Sequence, residues 1–266
     1  MALDQIFWIG GLLAEVVLLG ILIGNRVFRP LPAFTVYVAW TLLVDAGFFV
    51  LRNWLSGLGA VAFYRLYSAQ MAIDSALIFA VLVELAGSVL RPVRGALPRR
   101  AWAWIAGLIA VAGVVLWPVA GFTVPARLTT EGDVFFRLQQ TFAILRVVMF
   151  LVMAGFSQLL SIGWRNRELQ VATGLGFYSI VSLAVSVIHT HQSVGPAYHL
   201  LDQLLAFGYL GSLSYWVLSF TTKEAERKKI SPQMERILLL VGGTARSGRA
   251  QVTEFLVTGG RDKDER

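Results

Sequence analysis

The chain has 266 residues, 56% of them hydrophobic and only 15% charged, with a mean hydropathy of +0.67. A soluble domain carries about 25% charged residues, so that class is excluded. The net charge of +7 and pI near 10 would suit nucleic acid, but the arginines lie mostly in short stretches between apolar blocks, where they orient helices and meet anionic lipid.

Cysteine is absent, which excludes disulfides, thiolate metal sites, iron–sulfur clusters and cysteine nucleophiles. Met1 to Asp4 carries no basic region and no cleavage site follows, so the first apolar run is expected to be retained.

The apolar residues fall in blocks of about 20, the length that crosses about 30 Å of hydrocarbon. The first runs from Ile6 to Ile23, carries Glu15, and ends at Gly24-Asn25-Arg26. Pro30 and Pro32 separate it from a second block, Phe34 to Leu51, which carries Asp45. The third, Tyr64 to Leu90, holds Gln70, Asp74 and Glu84, and arginines and prolines from Arg91 to Arg100 close it. The fourth, Ala101 to Phe122, opens on Trp102 and Trp104, expected interfacial anchors. A polar loop containing Glu131, Gly132 and Asp133 leads to the fifth, a long helix from Gln139 to Arg167 with Arg146 inside it and a basic collar at Trp164 to Arg167. The sixth, Leu169 to Ile188, presents Thr173, Gly174 and Gly176 as a small-residue face for close helix approach. After a loop with His189 and His191 comes the seventh, His199 to Phe220.

The prediction is an all-α polytopic membrane bundle of seven transmembrane helices over residues 1–222, or six if a polar-rich block is re-entrant. A basic tail follows over 223–266, with short amphipathic segments at Met234 to Val241 and Gln251 to Val257. Alternate loops divide the basic residues twelve against four, the larger set including Arg26, Arg91, Arg165 and Lys223 and the smaller being Arg52, Arg65, Arg127 and Arg137. The positive-inside rule then places the N-terminus outside and the tail in the cytoplasm of a bacterial inner membrane. Repeated helix triplets, the mark of an inverted-repeat transporter, are not evident.

Charge inside hydrocarbon is costly, at about 2.5–3.5 kcal/mol on insertion scales, and is usually functional. The expected site therefore gathers Asp45, Gln70, Asp74, Gln139, Arg146, His189, His191 and Asp202, with Gln203 beside them and Glu15 near mid-membrane. Gln139, Arg146, Met153 and Ser157 form one stripe, and Gln70, Asp74, Leu77, Val81 and Glu84 another, both expected to face the interior. Arg146 is expected to pair with Asp45 or Asp74. The competing reading is a structural ion-pair network that sets helix register. Glu84 and Arg165, near the inner interface, are expected to snorkel or be solvated.

His189 and His191, with His199 near, have a spacing that on an extended loop would point both rings one way. Metal ligands normally recruit carboxylates around them, and with only Asp202 near, interfacial histidines are preferred and neither metal nor cofactor is expected. The seventh block has no lysine for a retinal Schiff base, and no HExxH or Walker-type loop occurs.

The stretch from Arg146 to Ser179, RVVMFLVMAGFSQLLSIGWRNRELQVATGLGFYS, resembles a group of uncharacterised bacterial seven-helix membrane proteins common in acidobacteria. In these a Ser/Leu-rich turn and a Trp-Arg pair end the fifth helix, and a Gly-rich sixth follows. The likeness covers about Ala2 to Phe220. The arrangement is also loosely similar to seven-helix sensor modules at the N-termini of some bacterial histidine kinases, though this chain lacks a kinase or dimerisation domain. Neither resemblance implies an activity or a catalytic residue. The reading is a non-catalytic membrane protein that binds a small ligand or a protein partner, through an outer pocket or through its cytoplasmic tail. The alternatives are a structural subunit of a larger membrane complex and a transporter whose polar path would run from Arg146 past Ser157 and Ser161 to Arg165.

Overall fold

A computed structural model describes residues 2–54, 60–89, 101–123, 130–155, 166–191 and 196–222. They form seven α-helices: α1 (Ala2–Gly24), α2 (Pro32–Trp54), α3 (Ala60–Val89), α4 (Ala101–Ala120), α5 (Thr130–Gly155), α6 (Arg167–His191) and α7 (Pro196–Thr221). One 3₁₀ turn, Gly121–Thr123, extends α4. Each α-helix contains a stretch long and apolar enough to cross a membrane, so the protein is a multi-pass bundle of seven spans, and the six-span alternative falls. Leu108, Val114, Leu200 and Leu218 are largely exposed on its surface while Glu15 is fully buried, the distribution expected where hydrocarbon is the outer solvent.

The helices close a ring. α1 packs between α2 and α7, α6 between α5 and α7, and α3 against α2, α4, α5 and α6, while α4 leans on α3 and α5 from outside. Leu18, Leu22, Phe34, Leu85, Met153, Leu169, Trp216 and Phe220 pack into one apolar core. These residues come from the late turns of α1, α3, α5 and α7 and the early turns of α2 and α6. The core therefore plugs the half of the bundle away from the N-terminus. Buried Glu84, Arg167, Glu168 and Gln170 lie at that same end, and a second set of polar side chains collects at mid-span and towards the N-terminal end.

Local chemistry sets the helix ends at the plugged side. α1 stops in a Schellman turn: Val27 N–H donates to Leu22 O (2.8 Å) and Arg26 N–H to Ile23 O (3.0 Å), with Arg26 in the left-handed region at φ 54°. Pro32 opens α2 at a position whose missing N–H costs nothing. The next two N–H groups, on Ala33 and Phe34, donate to Glu84 Oε1 (2.9 Å) and Oε2 (3.0 Å). Glu84 thus neither snorkels nor faces water. It is buried and supplies an N-terminal cap to a neighbouring helix, where a carboxylate also meets the positive end of the dipole.

Two sequence boundaries are corrected. α5 begins at Thr130, so Glu131, Gly132 and Asp133 are helical, and Asp133 holds Arg137 one turn on at 2.9 Å. That local pair lets the apolar pattern start more than two turns before Gln139. The collar does not close α5 as one unit. Asn166 and Arg167 start α6, and Trp164 and Arg165 lie outside the described residues, as does the tail from Lys223. Arg167 reaches across to α7, donating through Nη1 to Ser219 O (2.9 Å) and through Nη2 to Thr222 O (2.8 Å), carbonyls at the end of that helix.

The small residues of α6 serve two neighbours rather than one face. A Cβ at Gly174 would overlap the indole of Trp216 on α7, and one at Gly176 would overlap the ring of Phe150 on α5. Close approach at Gly174 is used: Ser212 Oγ donates to Gly174 O (3.0 Å) and Trp216 Nε1 to Gln170 O (3.2 Å). Thr173 only bonds back to Leu169 O in its own helix.

Candidate functional site

Six of the seven helices send a polar side chain into the bundle. On α2, Tyr37, Thr41 and Asp45 follow at four-residue steps and so share a face, with Trp40 beside them. Gln70 and Asp74 do the same on α3. α1 contributes Glu15, α5 Arg146, α6 Tyr178 and α7 Tyr209.

Arg146 is buried, at 5% exposure, but the expected ion pair does not form. Among the described residues no carboxylate oxygen comes within 4.0 Å of its guanidinium. Nε donates a long bond to Phe142 O (3.3 Å) in its own helix, and the guanidinium carbon lies 5.7 Å from the centre of the Tyr178 ring. Asp74 attracts Arg146 from beyond contact distance, because its carboxylate is already taken by Trp40 Nε1 at 2.6 Å and neighboured by Gln70. The cation is therefore held mainly by an aromatic face, an interaction worth about 0.5–2 kcal/mol depending on desolvation.

From Arg146 the contacts continue across the bundle. Tyr178 packs edge-on against Tyr209, with centroids 5.6 Å apart. The Tyr209 hydroxyl donates to Glu15 Oε1 in a short hydrogen bond. Beside the Glu15 carboxyl stand the carboxyl of Asp45 and the hydroxyl of Thr41, both placed to hydrogen-bond with it. Glu15, Asp45 and Asp74 thus stand in one region with a single arginine that contacts none of them.

This network meets the N-terminal end of the bundle at a cavity of about 260 Å³ between α1, α2 and α7. Asp45, Asp202, Gln203 and Tyr209 supply its polar wall, and Phe7, Trp8, Gly11 and Leu210 its apolar one. Trp8 is braced edge-on by Phe49 of α2 at 5.2 Å.

Of the residues expected from sequence, Asp45 and Asp202 line this cavity, and Gln70, Asp74 and Arg146 lie in the interior network. Gln139 is displaced: it is exposed, and its neighbour Gln140 is buried, donating from Nε2 to Ser186 Oγ of α6 at 2.7 Å. A seven-residue step keeps Gln139 within about 20° of the Arg146 face, so the difference comes from the neighbours at that level, where Ser186 of α6 stands on the Gln140 side. Ser157 lies outside the described residues.

The histidines are corrected too. Residues 189–191 belong to α6, not to an extended loop, and residues two apart on a helix point to opposite sides. His189 Nε2 stands 4.0 Å from Asp202 Oδ1, tying the end of α6 to the start of α7. The side chains of His191 and His199 lie outside the described residues. Among the described residues no group of three His, Asp or Glu side chains is placed to hold a metal.

Sequence reasoning missed the tyrosines. Tyr37, Tyr178 and Tyr209 lie well inside their spans, not at the interface where tyrosine belts form. That depth was the available signal, because a buried phenol usually finds a polar partner. No protein-family model, curated protein or solved structure matches the chain.

Proposed function

We propose that the protein is a ligand-binding, sensor-like protein of a bacterial inner membrane, with its N-terminal end outside and its tail in the cytoplasm. The ligand occupies the cavity between α1, α2 and α7, and it acts by binding rather than by chemical transformation. One observation carries the reading: the polar network around Glu15, Asp45 and Arg146 reaches a cavity at one end of the bundle, and a packed apolar core separates it from the other end, where Asn25, Arg26 and Arg167 line a second cavity of about 320 Å³. A dead-end polar site suits recognition better than passage. Met153, about two turns beyond Arg146 on the expected transport path, is part of that apolar core, while Ser157, Ser161 and Arg165 further along it lie outside the described residues.

Occupancy would be sensed through Tyr209, which both lines the cavity and bonds Glu15 on the facing helix. Such signalling requires two states with different ligand contacts, and the basic tail from Lys223 is the segment that would pass the difference to a partner.

A second reading, a subunit of a larger membrane complex, is favoured by an apolar groove of about 380 Å³ between α3, α4 and α5, lined by Phe79, Ile109, Gly113, Trp117 and Leu145. Native mass spectrometry of the protein extracted gently from its own membranes separates the two. A monomer or small homo-oligomer carrying a discrete small molecule, lost on Tyr209→Phe or Asp45→Asn, supports the sensor reading. Co-extraction of stoichiometric foreign polypeptides, with no small molecule, supports the subunit reading instead.

A further inference from the structure

We infer that the molecule taken by the α1–α2–α7 cavity is a small organic cation, an ammonium group carried on an apolar body. The inference rests on the cavity being a ligand site, as proposed above, and adds the chemical class. Two carboxylates, Asp45 and Asp202, face the space together with the rings of Phe7, Trp8 and Tyr209. A carboxylate set among aromatic faces is the surrounding that suits an alkylammonium, which is attracted by both.

The charge balance points the same way. Among the described residues no cationic nitrogen lies within 4.0 Å of Asp45, and the group beside it is another carboxyl, Glu15. Behind the wall made by Asp45 and Tyr209, Glu15 is fully buried, bonded by the Tyr209 hydroxyl and set against the Asp45 carboxyl and the Thr41 hydroxyl. Asp202 has the imidazole of His189 at 4.0 Å, and half of its own side chain stays exposed. Arg146 is held by Tyr178 and Phe142 and does not line the cavity. An anionic ligand would meet Asp45 and Asp202 with no cationic nitrogen of the described residues on the cavity wall, whereas a cation would be attracted by both carboxyl groups. A bare divalent ion is a poorer fit, because the described residues offer no three-ligand group and most of the lining is apolar.

The test uses the full chain in lipid nanodiscs, with tryptophan quenching and calorimetry as readouts. Choline, tetraethylammonium and benzyltrimethylammonium are compared with uncharged carbon isosteres, 3,3-dimethylbutan-1-ol standing for choline. At least one cation is expected to bind about tenfold or more tightly than its isostere, and Asp45→Asn should remove most of that preference. Should Asp45→Asn fail to fold, Trp8→Leu serves as the second variant, with the same loss expected. Gly11→Val narrows the cavity and should weaken binding of every probe; its Cβ meets only Leu210 at 4.0 Å. Isosteres binding as well as the cations, or cation binding untouched by Asp45→Asn and Trp8→Leu, overturns the inference. A neutral or anionic molecule co-extracted with the wild type and lost on Gly11→Val overturns the cation but keeps the ligand site. Absence of any co-extracted molecule, with no probe bound, overturns both.

Discussion

Glu84 and Arg146 show how differently a membrane interior can hold a charge. Glu84 is spent on structure: both of its oxygens accept from the first free N–H groups of α2, which have no other partner in a dry environment. Truncation to alanine should cost about 1–2 kcal/mol, the range of a lost cap. Thermal unfolding in detergent is expected to show this as a lowered midpoint for Glu84→Ala, with Glu84→Gln intermediate because its single carbonyl can still accept. A midpoint for Glu84→Ala equal to wild type would show that water or lipid replaces the cap. Arg146, by contrast, is under-compensated: one long backbone bond, one aromatic face and a carboxylate beyond contact distance. A group in that condition is retained for what it attracts or positions, which is why it belongs to the candidate site and Glu84 does not.

Among the elements, α6 is the one on which packing is most exacting. Its glycines let α7 and α5 approach from two sides, and the Trp216 indole sits where a Gly174 side chain would be. Without a hydrophobic drive between helices, such close approach and the hydrogen bonds it permits supply much of the association. Gly174→Ala should therefore destabilise by about 1–3 kcal/mol through overpacking. Gly20→Ala, where nothing lies within 4 Å of the added methyl, should be neutral or stabilising by up to about 1 kcal/mol from helix propensity. Combining Gly174→Ala with Trp216→Leu should recover part of the loss, with a coupling of about 0.5–3 kcal/mol between contacting sites. Strict additivity in unfolding midpoints would refute the contact. On α3, Gly87 makes room in the same way for Trp102 of α4, so this tryptophan is partly a packing residue and not solely an interfacial anchor.

At the scale of the whole molecule, the apolar core separates a half whose mostly apolar cavity carries Asp45 and Asp202 from a half whose cavity is lined by Asn25, Arg26 and Arg167. Orientation decides whether the Asp45 cavity faces outside or the cytoplasm, and therefore what kind of molecule it samples. The absence of native cysteine makes this directly measurable. Gln5→Cys and Thr222→Cys place thiols at exposed positions at opposite ends. In intact cells a membrane-impermeant maleimide should label position 5 at once and position 222 only after permeabilisation. The reverse pattern would place the cavity in the cytoplasm and turn the tail outward, removing the sensor reading in its present form.

The number and order of the spans were legible in the chain, though not the bounds of α5, because crossing hydrocarbon demands about 20 apolar residues whatever their neighbours are. The interior stripe on α3 was legible for the same reason: lipid penalises polar side chains, so a face carrying Gln70 and Asp74 has to turn inward. What pairs with what was not. Whether Arg146 meets Asp74 or a tyrosine ring, whether Gln139 or Gln140 is the buried one, and whether Glu84 is solvated or caps α2 all depend on the rotation and offset of neighbouring helices. Periodicity specifies a face to within a residue or so. Only packing specifies the angle, through close contacts such as Gly174 against Trp216. The cavity is in the same position: its walls come from the two ends of the ring's sequence, α1 with α2 and α7, and no local pattern joins Trp8 to Asp45 and Asp202 until the ring closes.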